Sequence, residues 1–162
     1  MTTLPLRRQA GAGAVFALLV VLTAGTGVLS STRTAQDYLA LRQPSWAPPS
    51  WLFGPVWTLL YALIAVAGWL VWRRVAGTGR GRAALTVYGV QLLLNAAWTP
   101  IFFGARQFGV AFADIVLLWI AIGVTAGLFA RLHRGAAALL VPYWLWTTFA
   151  AALNLAVWSL NP

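Results

Sequence analysis

The 162 residues are 61% hydrophobic and only 8% charged, whereas a soluble domain carries about 25% charged residues. That composition excludes a soluble globular enzyme. The absence of Cys excludes disulfides and thiolate metal sites, and one histidine (His133) with two acids (Asp37, Asp114) offers neither a metal cage nor a carboxylate pair, so no metal site is expected. The net charge of +9 rests on eleven arginines and no lysine; in so apolar a chain this points to loop arginines facing anionic lipid, and no nucleic-acid partner is expected.

Five apolar stretches follow one another: about 10–31, 52–72, 83–103, 109–130 and 136–160. Each has about 21–25 residues, enough to cross a hydrocarbon core of about 30 Å at about 1.5 Å per residue. Backbone groups must be satisfied within each span, so the segments are predicted to be helices. Their short connections predict one all-α domain over 1–162, an up-down bundle of five transmembrane helices. The first stretch follows Arg7 and Arg8 as a signal peptide would, but its apolar run exceeds a signal h-region. Its small pairs Gly13/Ala17 and Thr23/Gly27 suit close packing, so it reads as a retained helix.

Arginine placement predicts orientation. Arg7, Arg8, Arg73, Arg74, Arg80, Arg82, Arg131 and Arg134 fall on one side, and Arg33, Arg42 and Arg106 on the other. The positive-inside rule then puts the N-terminus in the cytoplasm and the C-terminus outside.

Between the first two spans lies the most unusual stretch, Gln-Pro-Ser-Trp-Ala-Pro-Pro-Ser-Trp-Leu-Phe-Gly-Pro-Val-Trp-Thr-Leu-Leu-Tyr at 43–61. Pro44, Pro48 and Pro49 fix φ and bias the residues before them away from helix, so 43–50 is expected to be a stiff extended loop on the outer face. Pro55 falls in the first turn of the second span, where its missing N–H is tolerated.

Polar and aromatic residues of the later spans gather beneath this loop. Gln91 and Asn95 are one turn apart, with Trp98 nearby; they could form an interhelical clamp or part of a site. Asp114 is expected to face the bundle interior, either stapling helices through a partner such as Asn154 or walling a site. Trp69, Trp72 and Trp158 read as interfacial belt residues, whereas Trp119 and Trp146 at mid-depth read as core filling or site. On the fifth span Tyr143, Trp146, Ala150, Leu153, Asn154 and Val157 share a face that could hold a flat guest or pack a neighbouring helix. Trp51, Trp57, Tyr61, Asn95, Trp98, Trp146 and Asn154, at related depths on three spans, together describe a small-molecule pocket with a few polar groups.

The 43–61 stretch, Gln-Leu-Leu-Leu-Asn-Ala-Ala-Trp (91–98), Ile-Phe-Phe-Gly-Ala-Arg-Gln (101–107) and Pro-Tyr-Trp-Leu-Trp-Thr-Thr-Phe-Ala-Ala-Ala-Leu-Asn-Leu-Ala-Val-Trp (142–158) resemble the TspO/MBR family of tryptophan-rich sensory and translocator proteins, also known as the peripheral-type benzodiazepine receptor family. The resemblance implies a five-helix membrane protein, commonly a homodimer. It implies a pocket beneath the first loop for tetrapyrroles such as protoporphyrin IX or other planar lipophilic molecules, as ligands and not as an obligatory cofactor. Carried over by motif, the ligand-binding residues are Trp51, Asn95, Trp146, Ala150 and Leu153, with Tyr61 and Trp98 adjoining. Trp51 and Trp146 would flank the ring. They are also the candidates for the light-driven porphyrin breakdown proposed for the family, although no acid, base or nucleophile constellation accompanies them. A sensor or regulator is the expected role; the alternatives are a light-dependent porphyrin-degrading enzyme and a carrier of lipophilic molecules. The propionates of such a guest need cations, and Arg42 and Arg106 are the candidates. The short cholesterol consensus is broken, with Leu155 at the tyrosine position and Ser159 at the basic one, so specific cholesterol recognition is not expected.

Overall fold

The computed structural model describes residues 5–30, 34–76 and 78–162; Arg33, counted above among the outer arginines, lies outside them. Five helices are long and apolar enough to cross a membrane. They are α1 (Leu6–Ser30), α3 (Phe53–Val75), α4 (Arg82–Thr99), α5 (Phe108–Leu132) and α6 (Arg134–Leu160); a short helix, α2 (Thr34–Ala40), lies between α1 and α3.

The ends depart from the sequence expectation in ways local chemistry explains. Residues Thr34–Ala40, expected as loop, form about two helical turns because Ala, Gln and Leu favour helix and Asp37 sits in the first turn, where a negative charge meets the helix dipole. After α2 the chain is extended through the prolines, apart from one turn closed by the Ala47 N–H on the Pro44 carbonyl (3.0 Å). A 3₁₀ turn, Ser50–Leu52, leads into α3, and Pro55 occupies its first turn. The α4 span does not stay α-helical to its outer end. Pro100 has no N–H to give to the preceding turn, and Pro100–Gly104 widens into a π turn closed by the Ala105 N–H on the Pro100 carbonyl (2.8 Å). Arg106 follows in the left-handed region, with φ 53°. A single residue joins α5 to α6: His133 is extended, and its Nδ1 accepts from the Ala136 N–H (3.1 Å), the role that Ser or Asp plays at most helix starts.

The helices close into a ring. In order around it α1 packs on α3, α3 on α6, α6 on α5, α5 on α4, and α4 on α1. The sequence neighbours α3 and α4 barely touch, because α1 lies between them. Near the arginine-rich end the middle of this ring is solid. Phe16, Ile64, Val71, Tyr88 and Phe129 fill it, with Tyr88 edge-on to Phe16 (5.7 Å between ring centres) and stacked on Phe129 (5.8 Å). Tyr88 Oη donates to the Ile64 carbonyl (3.1 Å), so its one polar atom is satisfied inside the core.

Small residues set the approach of α1 to α3, as the sequence suggested. Gly13 lies under the Trp69 indole, whose Nε1 donates to the Gln9 carbonyl (3.0 Å). The Arg73 guanidinium covers the same ring at 4.7 Å. Trp69 therefore pins two helices together, which differs from the lipid-facing belt role read from sequence. Trp119 also departs from expectation. It neither fills the core nor walls a site, but packs on Trp144 at the outer surface of α5 and α6 and donates through Nε1 to Thr148 Oγ1 (2.8 Å).

Candidate functional site

At the other end of the bundle the ring does not fill. A cavity of about 530 Å³ lies among α1, α3, α4, α5 and α6, beneath α2 and the proline loop. Its walls are rich in aromatic rings: Tyr38, Phe53, Trp57, Tyr61, Trp98, Phe102, Phe103 and Trp146. Ala150, Leu153 and Val157 form the α6 side, and the small residues Ala24 and Gly54 leave room at α1 and α3.

Of the eight residues singled out as ligand-binding from the sequence, seven line this cavity: Tyr61, Asn95, Trp98, Trp146, Ala150, Leu153 and Asn154. Trp51 does not. It lies in the 3₁₀ turn before α3 and is 70% exposed, while its neighbours Ser50 and Phe53 face the cavity. The tight turn throws consecutive side chains apart, so the ring that extended-loop reasoning aimed inward points away. The expected Trp51/Trp146 pair is thus not formed; Phe53 is the ring beside Trp146 (6.0 Å, edge-on).

The two propionate candidates lie outside the cavity lining. Arg106 Nη2 is 3.9 Å from Asp37 Oδ1, which links the loop before α5 to α2. The Arg42 guanidinium makes no ion pair among the described residues; the backbone of Arg42 is held instead. Its N–H donates to Asn161 Oδ1 (3.1 Å), and Asn161 Nδ2 donates back to its carbonyl (3.0 Å) and to that of Val157 (2.8 Å). One side chain at the end of α6 therefore fastens the loop that roofs the cavity. Tyr38 braces the same roof from below: burial pushes its phenol upward in pKa, and the protonated hydroxyl donates to the Pro48 carbonyl (3.0 Å). Gln43 Nε2 donates to the Tyr38 carbonyl. Removing the Asn161 amide, as in Asn161→Ala, frees the roof, and tryptic cleavage after Arg42 is expected to accelerate about fivefold, a typical consequence of losing exposed hydrogen bonds. Time-resolved digestion of the detergent-solubilised protein checks this.

The polar groups of the cavity are organised by hydrogen bonds between helices. Tyr61 Oη donates to Asn95 Oδ1 (2.9 Å), Asn95 Nδ2 donates to Tyr143 Oη (2.9 Å), and Tyr143 Oη donates to Gln91 Oε1 (3.0 Å). Nearer the roof, Trp98 Nε1 donates to Asn154 Oδ1 (3.1 Å), and Asn154 Nδ2 donates to the Phe108 carbonyl (3.0 Å). Gln91 and Asn95 are thus both a clamp and, at Asn95, part of the cavity wall. Asp114 is buried but does not line the cavity, and it does not bond Asn154, the partner suggested from sequence; its Oδ2 has no hydrogen-bond partner.

Several wall residues escaped the sequence reading. Tyr38 was hidden because residues 32–51 read as loop. Phe102 enters because the π turn rotates it inward, where it stacks on Trp98 (4.7 Å) and is buried. Pro100, directly before Ile-Phe-Phe, was the available signal. Thr147 and Leu118 fall on faces that helical spacing alone assigns to packing.

A five-helix bundle whose one filled end and one aromatic, roofed end are built from spans of this length and hydropathy is an integral, multi-pass membrane protein. The TspO/MBR family pattern matches residues 14–159. The "Tryptophan-rich protein TspO" of Chlorobaculum tepidum is 40% identical over 154 residues, covering 90% of this chain and 95% of that one. The "Translocator protein" of Homo sapiens is 43% identical over 125 residues (76% and 74%), and the "Tryptophan-rich sensory protein" of Cereibacter sphaeroides 35% over 150 residues (90% and 92%). The chain belongs to the TspO/MBR family.

Proposed function

We propose that the protein is a membrane sensor or regulator that binds a planar tetrapyrrole of the protoporphyrin IX type in the roofed cavity. The observation that carries this reading is the cavity itself. Its volume falls within the range of small-molecule sites, and its walls carry flat rings from α2, α3, α4, the π turn and α6 with few polar atoms. A macrocycle gains by offset contact with Trp57, Trp98 and Trp146, and burial of its faces is favourable at about 25 cal/mol per Å². The relatives' names, sensory protein and translocator, agree with a small-molecule role in the membrane.

Charge fits the same arrangement. Arg73, Arg74, Arg82, Arg131 and Arg134 lie at the ends of α3 to α6 remote from the cavity. By the positive-inside rule that end is cytoplasmic and the cavity opens toward the outer face. The propionates of the guest then remain at the roof, where water and Arg42 are available. Arg106 is engaged with Asp37, so Arg42 is the better counter-ion. Arg42→Ala is expected to weaken protoporphyrin IX binding about threefold to tenfold, and less so at high salt, because the pairing is solvent-exposed.

The deciding experiment is titration of the detergent-purified protein with protoporphyrin IX while following tryptophan fluorescence. Saturable quenching with one equivalent per chain is expected. Quenching that rises linearly without saturation would exclude the reading. Illumination of the saturated complex separates binding from turnover: an unchanged porphyrin spectrum supports a sensor, and a new absorbing product lost in Trp146→Phe supports the degradative alternative.

A further inference from the structure

The interhelical hydrogen bonds described above have a direction, and it decides what the cavity presents to a guest. A tyrosine hydroxyl has one hydrogen to donate. Tyr143 gives its hydrogen to Gln91 Oε1, so it can only accept from Asn95, and does so from Nδ2. Asn95 therefore turns its Oδ1 toward Tyr61, and Tyr61 gives its single hydrogen to that oxygen. The hydroxyl of Tyr61, the member of the series that reaches the cavity wall from α3, has only lone pairs left. The series ends at Gln91 Nε2, a buried N–H donor without a partner on α4. On α5, which packs against α4, Asp114 Oδ2 is a buried acceptor also without a partner.

The geometry points to Tyr61 as the residue that selects a ligand carrying a hydrogen-bond donor, an N–H or O–H on a flat ring system, with Gln91 acting as a positioning residue that sets this polarity through Tyr143 and Asn95. The inference rests on the proposed use of the cavity for planar guests and specifies which of them it prefers. One neighbouring donor is open, because the indole N–H of Trp146 on the α6 wall is buried without a partner, so the part of the preference that belongs to Tyr61 is read from the change on Tyr61→Phe. The indole N–H of Trp98 is held by Asn154, and the hydroxyls of Thr58 and Thr147 donate to the Gly54 and Tyr143 carbonyls. Reversal requires all four side chains to change together, because each bond dictates the next. Loss of the Gln91 acceptor is the simplest trigger. Tyr143 then donates to Asn95 Oδ1, the Asn95 amide turns its Nδ2 to Tyr61, and the Tyr61 hydrogen becomes free to donate to the guest.

A matched pair of flat tricyclic probes tests this. Carbazole presents a ring N–H, and acridine, of nearly the same size, presents a ring nitrogen acceptor. Fluorescence titration of the full-length detergent-purified protein is expected to show carbazole binding roughly tenfold more tightly than acridine, the scale of one buried hydrogen bond made or left unmade. Tyr61→Phe, which removes the acceptor and keeps the ring, should bring the two affinities within about twofold. Gln91→Met should invert the order. Equal affinities in the unmodified protein, a preference for acridine, failure of both probes to bind, or a carbazole preference that survives Tyr61→Phe would each overturn the assignment. Protoporphyrin IX titrated into the same samples reports separately on the cavity. If the porphyrin saturates while the tricyclic pair shows no discrimination, the proposed function stands and the selection by Tyr61 falls.

Discussion

Ala150→Trp is expected to abolish protoporphyrin IX binding, with a loss of about 100-fold or more in affinity, while leaving the bundle folded. Ala150 lies on the α6 wall between Trp146 and Leu153, and all three face the cavity of about 530 Å³. An indole added there occupies space that the proposed guest needs. Displacing even about 100 Å² of apolar ring contact removes about 2.5 kcal/mol, near two orders of magnitude in affinity. The substituent enters an existing cavity and does not press into a packed core, so the thermal midpoint should stay within a few degrees. Leu93→Trp is the matching control, because Leu93 is 72% exposed on the outer face of α4 and should bind as the unmodified protein does. Retained affinity in Ala150→Trp would mean that porphyrin, if bound, sits elsewhere.

Hydropathy and length were enough to place all five spans, because a bilayer demands long apolar helices and leaves little else possible. The depth of each residue followed from its distance along a span, and helical spacing then grouped Tyr143, Trp146, Ala150, Leu153, Asn154 and Val157 on one face. All but Tyr143 share the cavity wall; Tyr143 is buried in the bundle, bonded to Asn95 and Gln91. Two of the failures came where the backbone leaves the α-helix. Trp51 turns outward in a 3₁₀ turn, and Phe102 turns inward in a π turn, each contrary to what a regular periodicity assigns. The ring order was equally hidden. Short connections suggest that consecutive spans are neighbours, yet α1 separates α3 from α4. Nothing in the sequence of a connection encodes that insertion. It follows from which faces are small enough to meet, and Gly68 is the position where this is most strictly required.

Gly68→Leu is expected to be the most destabilising single change among those considered. Gly68 is buried in α3, where α1 and α4 approach together. A Cβ built there would stand 2.8 Å from the Phe16 ring and 2.8 Å from the Tyr88 ring, well inside van der Waals contact. Neither ring can retreat cheaply. Phe16 is edge-on to Tyr88, while Tyr88 is stacked on Phe129 and tethered through its hydroxyl to the Ile64 carbonyl. A leucine side chain therefore has to push α1 off α3, opening the bond that the adjacent Trp69 makes to the Gln9 carbonyl. Overpacking of this kind costs about 3 kcal/mol, roughly 6–12 °C in thermal midpoint for a domain of this size. Gly68→Ala should show a smaller drop in the same direction. The loss should be partly recovered by Phe16→Ala in the Gly68→Leu background, because removing the opposing ring makes room for the added carbons. Additive destabilisation by the two changes would show that the close approach at Gly68 does not limit how α1 seats on the rest of the bundle.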